Sequence, residues 1–218
     1  MPILVINPNS SLSMSESLEE NLKSFSFSNL LHFYTAPSTS PASITNNAEA
    51  IASTESVLQD FAKNEQLLKY DGYLIACFSL HPLVNALGKL TGKPTRGIFQ
   101  SALLSAMESN KKCCILTSTA SWERPLDEAI LNFLNLDKLP NFLQATTSPN
   151  LNPLQLESED FYYKIENKLL ELAKDNIDLV ILGCAGYSQI LPKLKLSAPN
   201  LTFVDGVVVG VELLLNDI

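Results

Sequence analysis

Two cysteines stand in matching sequence surroundings. Cys77 ends the segment DGYLIAC and Cys184 ends the segment DLVILGC, so each follows an acid and five mostly apolar residues. Two thiols can move protons at one carbon, because one removes a proton from one face while the other delivers a proton to the opposite face. The reference pKa of cysteine is about 8.5, closer to neutrality than that of lysine or tyrosine. We therefore interpret Cys77 and Cys184 as a candidate acid–base pair.

The alternative is that both are small buried core residues, as cysteines often are. We favour that interpretation for Cys113 and Cys114, which are adjacent early in a predicted strand and so point to opposite faces of a sheet. A zinc site is disfavoured, because adjacent cysteines do not form a chelating spacing and the two histidines lack a His-x3–5-His pattern.

Strand-like and helix-like segments alternate along the chain. Short apolar or β-branched runs predict strands at Ile3–Ile6, Leu30–Tyr34, Gly72–Cys77, Cys113–Thr117, Phe142–Thr146, Asp178–Gly183 and Leu201–Val204. Helical periodicity predicts helices at Ser15–Phe25, Asn46–Ala62, Pro82–Leu90, Ile98–Ser109, Arg124–Leu134, Ser158–Lys174, Ser188–Leu194 and Gly206–Leu215. This alternation predicts βαβ units and a largely parallel sheet.

A helix is expected to follow each cysteine closely. Pro82, a residue favoured in the first helical turn, comes five positions after Cys77, and Ser188 comes four positions after Cys184. The positive end of a helix favours a thiolate. We therefore expect both thiols to ionise readily.

Landmarks repeat along the chain at a nearly constant offset. The two cysteines are 107 residues apart (184 − 77), Ile3 and Cys113 begin strands 110 apart (113 − 3), and Gly97 and Gly206 precede helices 109 apart (206 − 97). This predicts an internal duplication and an α/β fold of two similar Rossmann-like lobes with parallel sheets, related by a pseudo-two-fold axis. The lobes would be residues 1–95 with 206–218, and residues 96–205. Ligands of open parallel sheets bind beyond the carboxyl ends of the strands, so we expect an active-site cleft between the lobes with both thiols in it.

Composition excludes several classes of partner. The 218 residues include 15 Lys and Arg against 23 Asp and Glu, a net charge of −8, and no basic cluster exceeds the pair Lys111-Lys112. Nucleic-acid binding needs a basic face, so we expect none. No uncharged apolar run reaches about 18 residues, which predicts no membrane span, and the opening residues lack the basic region of a signal peptide. Four cysteines in such a chain indicate a reducing, cytoplasmic location.

Several segments together resemble the aspartate/glutamate/hydantoin racemase superfamily. They are ILVINPNSS from Ile3, PASI from Pro41, ACFSLHPLV from Ala76, ILTSTASW from Ile115, ILGCAGY from Ile181 and FVDGVVVGVELL from Phe203. Within that superfamily the chain looks most like the hydantoin and allantoin racemase branch, including its fungal members. The aspartate and glutamate racemases typically carry CNT-like and GCT-like motifs instead.

The resemblance implies two lobes with a cleft, no cofactor and no metal, and Cys77 and Cys184 as the paired acid and base. It also implies a set of residues around the substrate, namely Asn7, Ser43, Ile44, Phe78, Thr117, Ala185 and Gly186. The chain departs from bacterial hydantoin racemases after the first cysteine. They often carry an acidic, Gly-containing stretch there, whereas this chain has Ser79-Leu80-His81-Pro82.

The residues at the predicted strand ends indicate a neutral substrate. Amides and hydroxyls predominate there, and they can form hydrogen bonds with the N–H and C=O groups of a cyclic amide or ureide. Arg96 and Arg124 are the arginines near these loops, and we interpret both as solvated surface charges. Backbone N–H groups at Phe78, Ala185 and Gly186 are candidates for stabilising an enolate oxygen.

The leading hypothesis is a cofactor-independent racemase of a 5-substituted hydantoin or an allantoin-like cyclic ureide. The alternatives are a non-catalytic protein that binds a ureide or other small molecule, and a decarboxylase or isomerase of the same superfamily. We interpret His81 as a polar loop residue rather than a catalytic group. Self-association into a homo-oligomer stays open, because no apolar stripe in the sequence identifies an interface.

Overall fold

The computed structural model of the protein describes residues 1–151 and 159–218, apart from the side chains of residues 159 and 160. The described chain divides into two compact units. The first contains residues 1–101 and 207–218, and the second contains residues 102–206.

The first unit contains a parallel sheet of four strands. They are β1 (Ile3–Asn7), β2 (Leu31–Thr35), β3 (Gly72–Ile75) and β4 (Thr95–Gly97), in the order β2-β1-β3-β4. Helices α1 (Leu12–Leu22), α2 (Asn47–Lys63) and α3 (Pro82–Thr91) connect them, and α4 (Ile98–Glu108) follows β4. Every residue of β1 is buried, as expected for a central parallel strand formed by a continuous apolar run.

The second unit repeats this arrangement. Its strands are β5 (Cys113–Leu116), β6 (Leu143–Thr147), β7 (Leu179–Leu182) and β8 (Thr202–Asp205), all parallel and in the order β6-β5-β7-β8. The helices are α5 (Glu123–Leu134), α6 (Glu159–Lys174) and α7 (Leu191–Ser197). The same strand order in both units confirms the predicted α/β fold and its duplicated topology.

Each sheet has its own apolar core. In the first unit, Leu4 and Ile6 of β1 pack with Val57 and Phe61 of α2. In the second unit, the core includes Cys114, Leu116, Phe161, Ile165, Leu169, Val180, Leu182 and Tyr187. Cys113 and Cys114 are both free and buried, which agrees with their interpretation as core residues.

The last helix, α8 (Gly206–Asp217), packs on the first sheet although it follows a strand of the second. A Cβ added at Gly210 would lie 2.5 Å from Leu74 Cδ1, so the helix lies very close to β3. Arg96 of β4 donates two hydrogen bonds, of 2.5 and 2.9 Å, to Asp217 at the C-terminal end of α8. These bonds lower the pKa of Asp217.

Some elements of the first unit and helix α6 differ from the sequence prediction or reach beyond the described residues. Strand β4 has no counterpart among the predicted strands. Helix α1 begins at Leu12 rather than Ser15, because the Ser11 side chain accepts a hydrogen bond from the Met14 N–H and caps the helix. The predicted helix Ser158–Lys174 begins at a residue outside the described ranges, and α6 is described from Glu159. Within the described ranges, no helix combines the length and apolar character needed to cross a bilayer.

Candidate active site

The two cysteines occupy equivalent positions in the two units. Ile75, the last residue of β3, pairs with Ile6 of β1, and Leu182, the last residue of β7, pairs with Leu116 of β5. Each cysteine comes two residues after that pair, neither is in a disulfide, and both are partly exposed. Asn7 and Thr117 follow Ile6 and Leu116 directly, so they are equivalent too. We call the group at the carboxyl edge of the first sheet (Asn7, Ser43, Ile44, Cys77, Phe78) the first half-site, and that at the second sheet (Thr117, Ser118, Cys184, Ala185, Gly186) the second half-site.

In the first half-site, Cys77 lies at the start of a tight turn. The Ala76 N–H donates to the Ile6 carbonyl at 2.8 Å, which extends the pairing of β3 with β1 by one residue. The Ser79 N–H donates to the Cys77 carbonyl at 2.9 Å, and the Ser79 hydroxyl lies 3.6 Å from the Cys77 sulfur. The chain therefore turns away from the sheet immediately after the cysteine and brings a hydroxyl to its sulfur.

The Asn7 side chain is buried and hydrogen-bonded within its own loop. Its amide nitrogen donates to the Ser11 carbonyl at 3.0 Å and to the Ser15 hydroxyl at 3.1 Å, and its Oδ1 accepts from the Asn9 N–H at 3.2 Å. Both amide hydrogens are thereby used. Asn7 thus fixes the turn from β1 into α1, and one lone pair of Oδ1 is left for any other contact.

The segment carrying Ser43 and Ile44 is joined to the loop after β1. The Ser10 N–H donates to the Pro41 carbonyl at 2.9 Å, and the Ser40 hydroxyl donates to the Pro8 carbonyl at 2.6 Å. Ser43 and Ile44, both partly exposed, follow this junction. The two bonds therefore hold the segment just before Ser43 and Ile44 against the loop that follows Asn7.

The Phe78 ring is buried against another aromatic ring of the first unit. It meets Phe99 of α4 edge to face, with 5.5 Å between the ring centroids. Its backbone N–H is consequently the better candidate for contact with a ligand.

His81 is buried and caps α3. Its Nδ1 accepts from the Leu83 N–H at 3.2 Å, so its Nε2 carries the proton and donates to the Ser53 hydroxyl at 3.1 Å. The Ser53 hydroxyl in turn donates to the Ala50 carbonyl at 3.0 Å. Burial lowers the pKa of His81 from 6.5 to about 4. His81 is thus a neutral structural residue that joins α3 to α2.

This burial predicts a loss of stability at mildly acidic pH. The unfolded imidazole binds a proton below pH 6.5, whereas the folded one stays neutral down to about pH 4, so protons favour unfolding in that window. We expect His81 to remove about 3 kcal/mol from the free energy of unfolding as the pH falls from 6.5 to 4. The His81→Asn variant keeps a capping side chain but does not titrate, so urea titrations at several pH values should show a flatter profile. Parallel profiles for the two proteins would contradict this prediction.

In the second half-site, burial raises the pKa of Cys184 above its ordinary value. The neighbouring Gly186 and Tyr187 N–H groups and the Ser118 hydroxyl act in the opposite direction and favour the thiolate, but burial outweighs them. The expectation of a readily ionised thiol is therefore wrong for Cys184.

The helix predicted to start at Ser188 also differs. A 3-10 helix covers Ala185–Ile190 and begins immediately after Cys184, and α7 starts only at Leu191. Ala185 and Gly186 are buried in this first turn. The Tyr187 N–H donates to the Cys184 carbonyl at 3.0 Å, so the turn begins directly at the cysteine.

Thr117 is buried and connects β5 to the cysteine strand. Its hydroxyl donates to the Gly183 carbonyl at 3.3 Å, and its carbonyl accepts from the Tyr187 hydroxyl at 3.1 Å. Thr117 therefore resembles Asn7, its equivalent, in using its polar groups to hold its own half-site together. Sequence reasoning did not single out Tyr187 as a site residue, although it directly follows Gly186.

Both arginines are paired with acidic side chains. The chain has two arginines, and Arg96 bonds Asp217 while Arg124 bonds Glu128 at 2.7 Å on the surface. Within the part of the chain that the structure describes, no three His, Cys, Asp or Glu side chains are grouped so that they could hold a metal ion.

Solved structures share this two-lobed architecture. An allantoin racemase from Klebsiella pneumoniae superposes with a TM-score of 0.83 at 22% identity, covering 99% of this chain and 86% of that one. The likeness shows a common fold, an α/β protein with two parallel sheets.

The family follows from the sequence match. The family model for Asp/Glu/Hydantoin racemase matches residues 3–214, so the chain belongs to this family of racemases. Protein DCG1 of Saccharomyces cerevisiae is 32% identical, covering 98% of this chain and 94% of the relative. A hydantoin racemase of Pseudomonas sp. (strain NS671) is 27% identical, covering 97% and 84%.

Proposed function

We propose that the protein is a cofactor-independent racemase of a 5-substituted hydantoin or an allantoin-like cyclic ureide, with Cys77 and Cys184 as acid and base. The observation that carries this proposal is the equivalence of the two thiols, each outside a disulfide, partly exposed and two residues beyond the end of the third strand of its unit. The mechanism requires both sulfurs to reach one carbon from opposite faces.

The proposed reaction conserves protons and electrons. One cysteine thiolate removes the proton from C5 of the ring, so the C–H bond breaks, an S–H bond forms, and the electron pair moves into an enolate on the adjacent carbonyl. The opposite thiol then delivers its proton to the other face of C5 and becomes the thiolate. The pair ends with its roles exchanged, ready for the reverse reaction.

Backbone groups are assigned to the enolate oxygen. The N–H groups of Phe78 and Ala185, each next to a catalytic cysteine, are the proposed donors. Gly186 is assigned a different role, because its N–H lowers the pKa of Cys184 and so favours the thiolate. Ser43 and Ile44 are proposed to contact the edge of the substrate ring. The buried Asn7 and Thr117 are proposed to hold the two half-sites in place.

A neutral ring is the substrate class favoured by the chemistry of the chain. An amino-acid substrate would need a cation for its carboxylate, and both arginines are bonded to acidic side chains. A hydantoin or ureide ring presents N–H and C=O groups instead, and its C5–H is acidified by the neighbouring carbonyl. The named relatives, a hydantoin racemase and an allantoin racemase, support the same class.

Deuterium exchange tests this proposal directly. In deuterium oxide, the protein should introduce deuterium at C5 of both enantiomers of allantoin or of a 5-substituted hydantoin, with loss of optical rotation. Proton NMR and polarimetry measure the two changes, and a protein-free sample corrects for spontaneous exchange. Ligand binding without exchange would identify a binding protein, and release of carbon dioxide from a malonate-type substrate would identify a decarboxylase.

A further inference from the structure

The segment after Cys77 places a buried hydroxyl beside the cysteine sulfur. The Ser79 hydroxyl lies 3.6 Å from the Cys77 sulfur, a length that suits a hydrogen bond because sulfur is a larger atom than oxygen. Ser79 is only 5% exposed, so its hydroxyl needs a partner within the protein. Among the residues that the structure describes, the Cys77 sulfur is the one hydrogen-bond partner of this hydroxyl. The hydroxyl is therefore directed at the thiol rather than at another part of the fold.

The turn that carries Ser79 is held on both sides. Before it, the Ala76 N–H donates to a carbonyl of β1 at 2.8 Å. Within it, the Ser79 N–H donates to the Cys77 carbonyl at 2.9 Å. After it, the buried His81 is hydrogen-bonded to Ser53 of α2 at 3.1 Å. The backbone of Ser79 is thus fixed relative to the cysteine.

The two half-sites differ at this position. Ser79 comes two residues after Cys77, and the residue two positions after Cys184 is Gly186, which has no side chain. A backbone N–H can donate to a thiolate but cannot accept from a thiol. A serine hydroxyl can do both, so its bond to the sulfur persists when the cysteine gains or loses a proton. The first unit therefore has, at this position, a group that serves both protonation states.

We propose that Ser79 is the positioning residue of Cys77, holding the sulfur in one orientation while the cysteine alternates between thiolate and thiol. Its importance for turnover rests on the proposed function, in which Cys77 acts as base and as acid. Its effect on the thiol itself does not, so the two are tested separately.

The test is alkylation of the full-length protein by iodoacetamide over a range of pH, with the Cys77 adduct measured by mass spectrometry after digestion. The thiolate is the form that reacts, and Ser79→Ala withdraws a donor from it. The midpoint of alkylation should therefore move to higher pH by about 0.5–1 pH unit, as expected for the loss of one hydrogen bond. Ser79→Thr, which keeps the hydroxyl, should restore the midpoint.

Ser56→Ala is the matched control. Ser56 is also a buried serine of the first unit, at 6% exposure, but its hydroxyl bonds to Thr39 Oγ1 at 2.6 Å, so the Cys77 midpoint should not change. If Ser79→Ala does not fold, comparing Ser79→Thr with Ser79→Val gives the same measurement, because the two side chains have nearly equal size and only threonine has the hydroxyl. An unchanged midpoint in Ser79→Ala, or in valine relative to threonine, would overturn the proposal.

Activity measurements then separate this proposal from the proposed function. In a Cys184→Ala protein, exchange of the C5 hydrogen of one enantiomer depends on Cys77. Adding Ser79→Ala should move the pH profile of that exchange upward in parallel with the alkylation midpoint, whereas adding Ser56→Ala should not. An exchange profile that does not follow the midpoint would overturn the role in turnover. If the midpoint moves but the wild-type protein exchanges no C5 hydrogen, the proposed function fails and the assignment of Ser79 to the thiol stands.

Discussion

Replacing either Cys77 or Cys184 by alanine should abolish interconversion of the two substrate enantiomers. Each variant lacks the proton donor or acceptor on one face of the carbon. Positioned acid–base groups contribute about 10²–10⁴-fold to rate, so polarimetry should record losses of that order or complete loss. Each single variant should still exchange the hydrogen of one enantiomer, because its remaining thiolate can remove and return a proton on its own face. Deuterium incorporation measured separately for the two enantiomers checks this.

The buried cysteines provide the control for this prediction. Cys113→Ala and Cys114→Ala remove thiols that lie in the core, so each should lower the free energy of unfolding by about 1–3 kcal/mol and leave the exchange chemistry unchanged. Racemisation at the wild-type rate by both Cys77→Ala and Cys184→Ala would rule out the thiol-pair mechanism. The half-sites would then have to be interpreted as binding sites.

Gly183→Ala should affect both stability and activity. Two of the three atoms that the new Cβ would meet are backbone atoms of Leu116 and Thr117, and the third is Ile115 Cγ2 at 2.9 Å, so strands β5 and β7 must separate at their ends. Overpacking of this kind lowers the free energy of unfolding by about 1–3 kcal/mol. The same shift moves Cys184, and a displacement of about 1 Å at a catalytic group can reduce turnover about 100-fold. Urea unfolding and the deuterium-exchange rate measure the two effects.

Gly88→Ala is the matched control for that variant. Gly88 lies inside α3, and its Cβ would make ordinary contacts with Thr95 at 3.6 Å. Alanine is preferred to glycine within a helix by about 0.5–1 kcal/mol, so the free energy of unfolding should be unchanged or slightly higher. Equal effects of Gly88→Ala and Gly183→Ala would show that the close approach at Gly183 is not what matters.

The sequence was sufficient to predict the fold and the placement of the cysteines. Central parallel strands are buried on both faces, so their sequences are short apolar runs such as those of β1 and β7. Turns separate these runs from the amphipathic helices. The constant offset between the repeated landmarks identified the duplication. Because each cysteine directly follows an apolar run, its position at a strand end could be predicted as well.

Features that depend on tertiary partners could not be predicted in this way. Strand β4 is the three residues Thr95–Gly97, with no apolar run, and its pairing with β3 alone defines it. The sequence around His81 is typical of a loop. The structural role of His81 depends on its hydrogen bond to Ser53 of α2, which the sequence does not reveal. Similarly, the net direction of the Cys184 pKa depends on burial, which a single sequence does not report.

The path of the chain has a consequence for how the protein folds during synthesis. Residues 102–206 form the second unit without interruption, whereas the first unit needs α8, which the ribosome adds only after the whole second unit has been made. Until then, the face of β3 that Gly210 covers has no partner helix, and Arg96 has no Asp217 to bind. The unit begun first is thus completed last, and the apolar face of β3 stays without its covering helix until the end of the chain has been made.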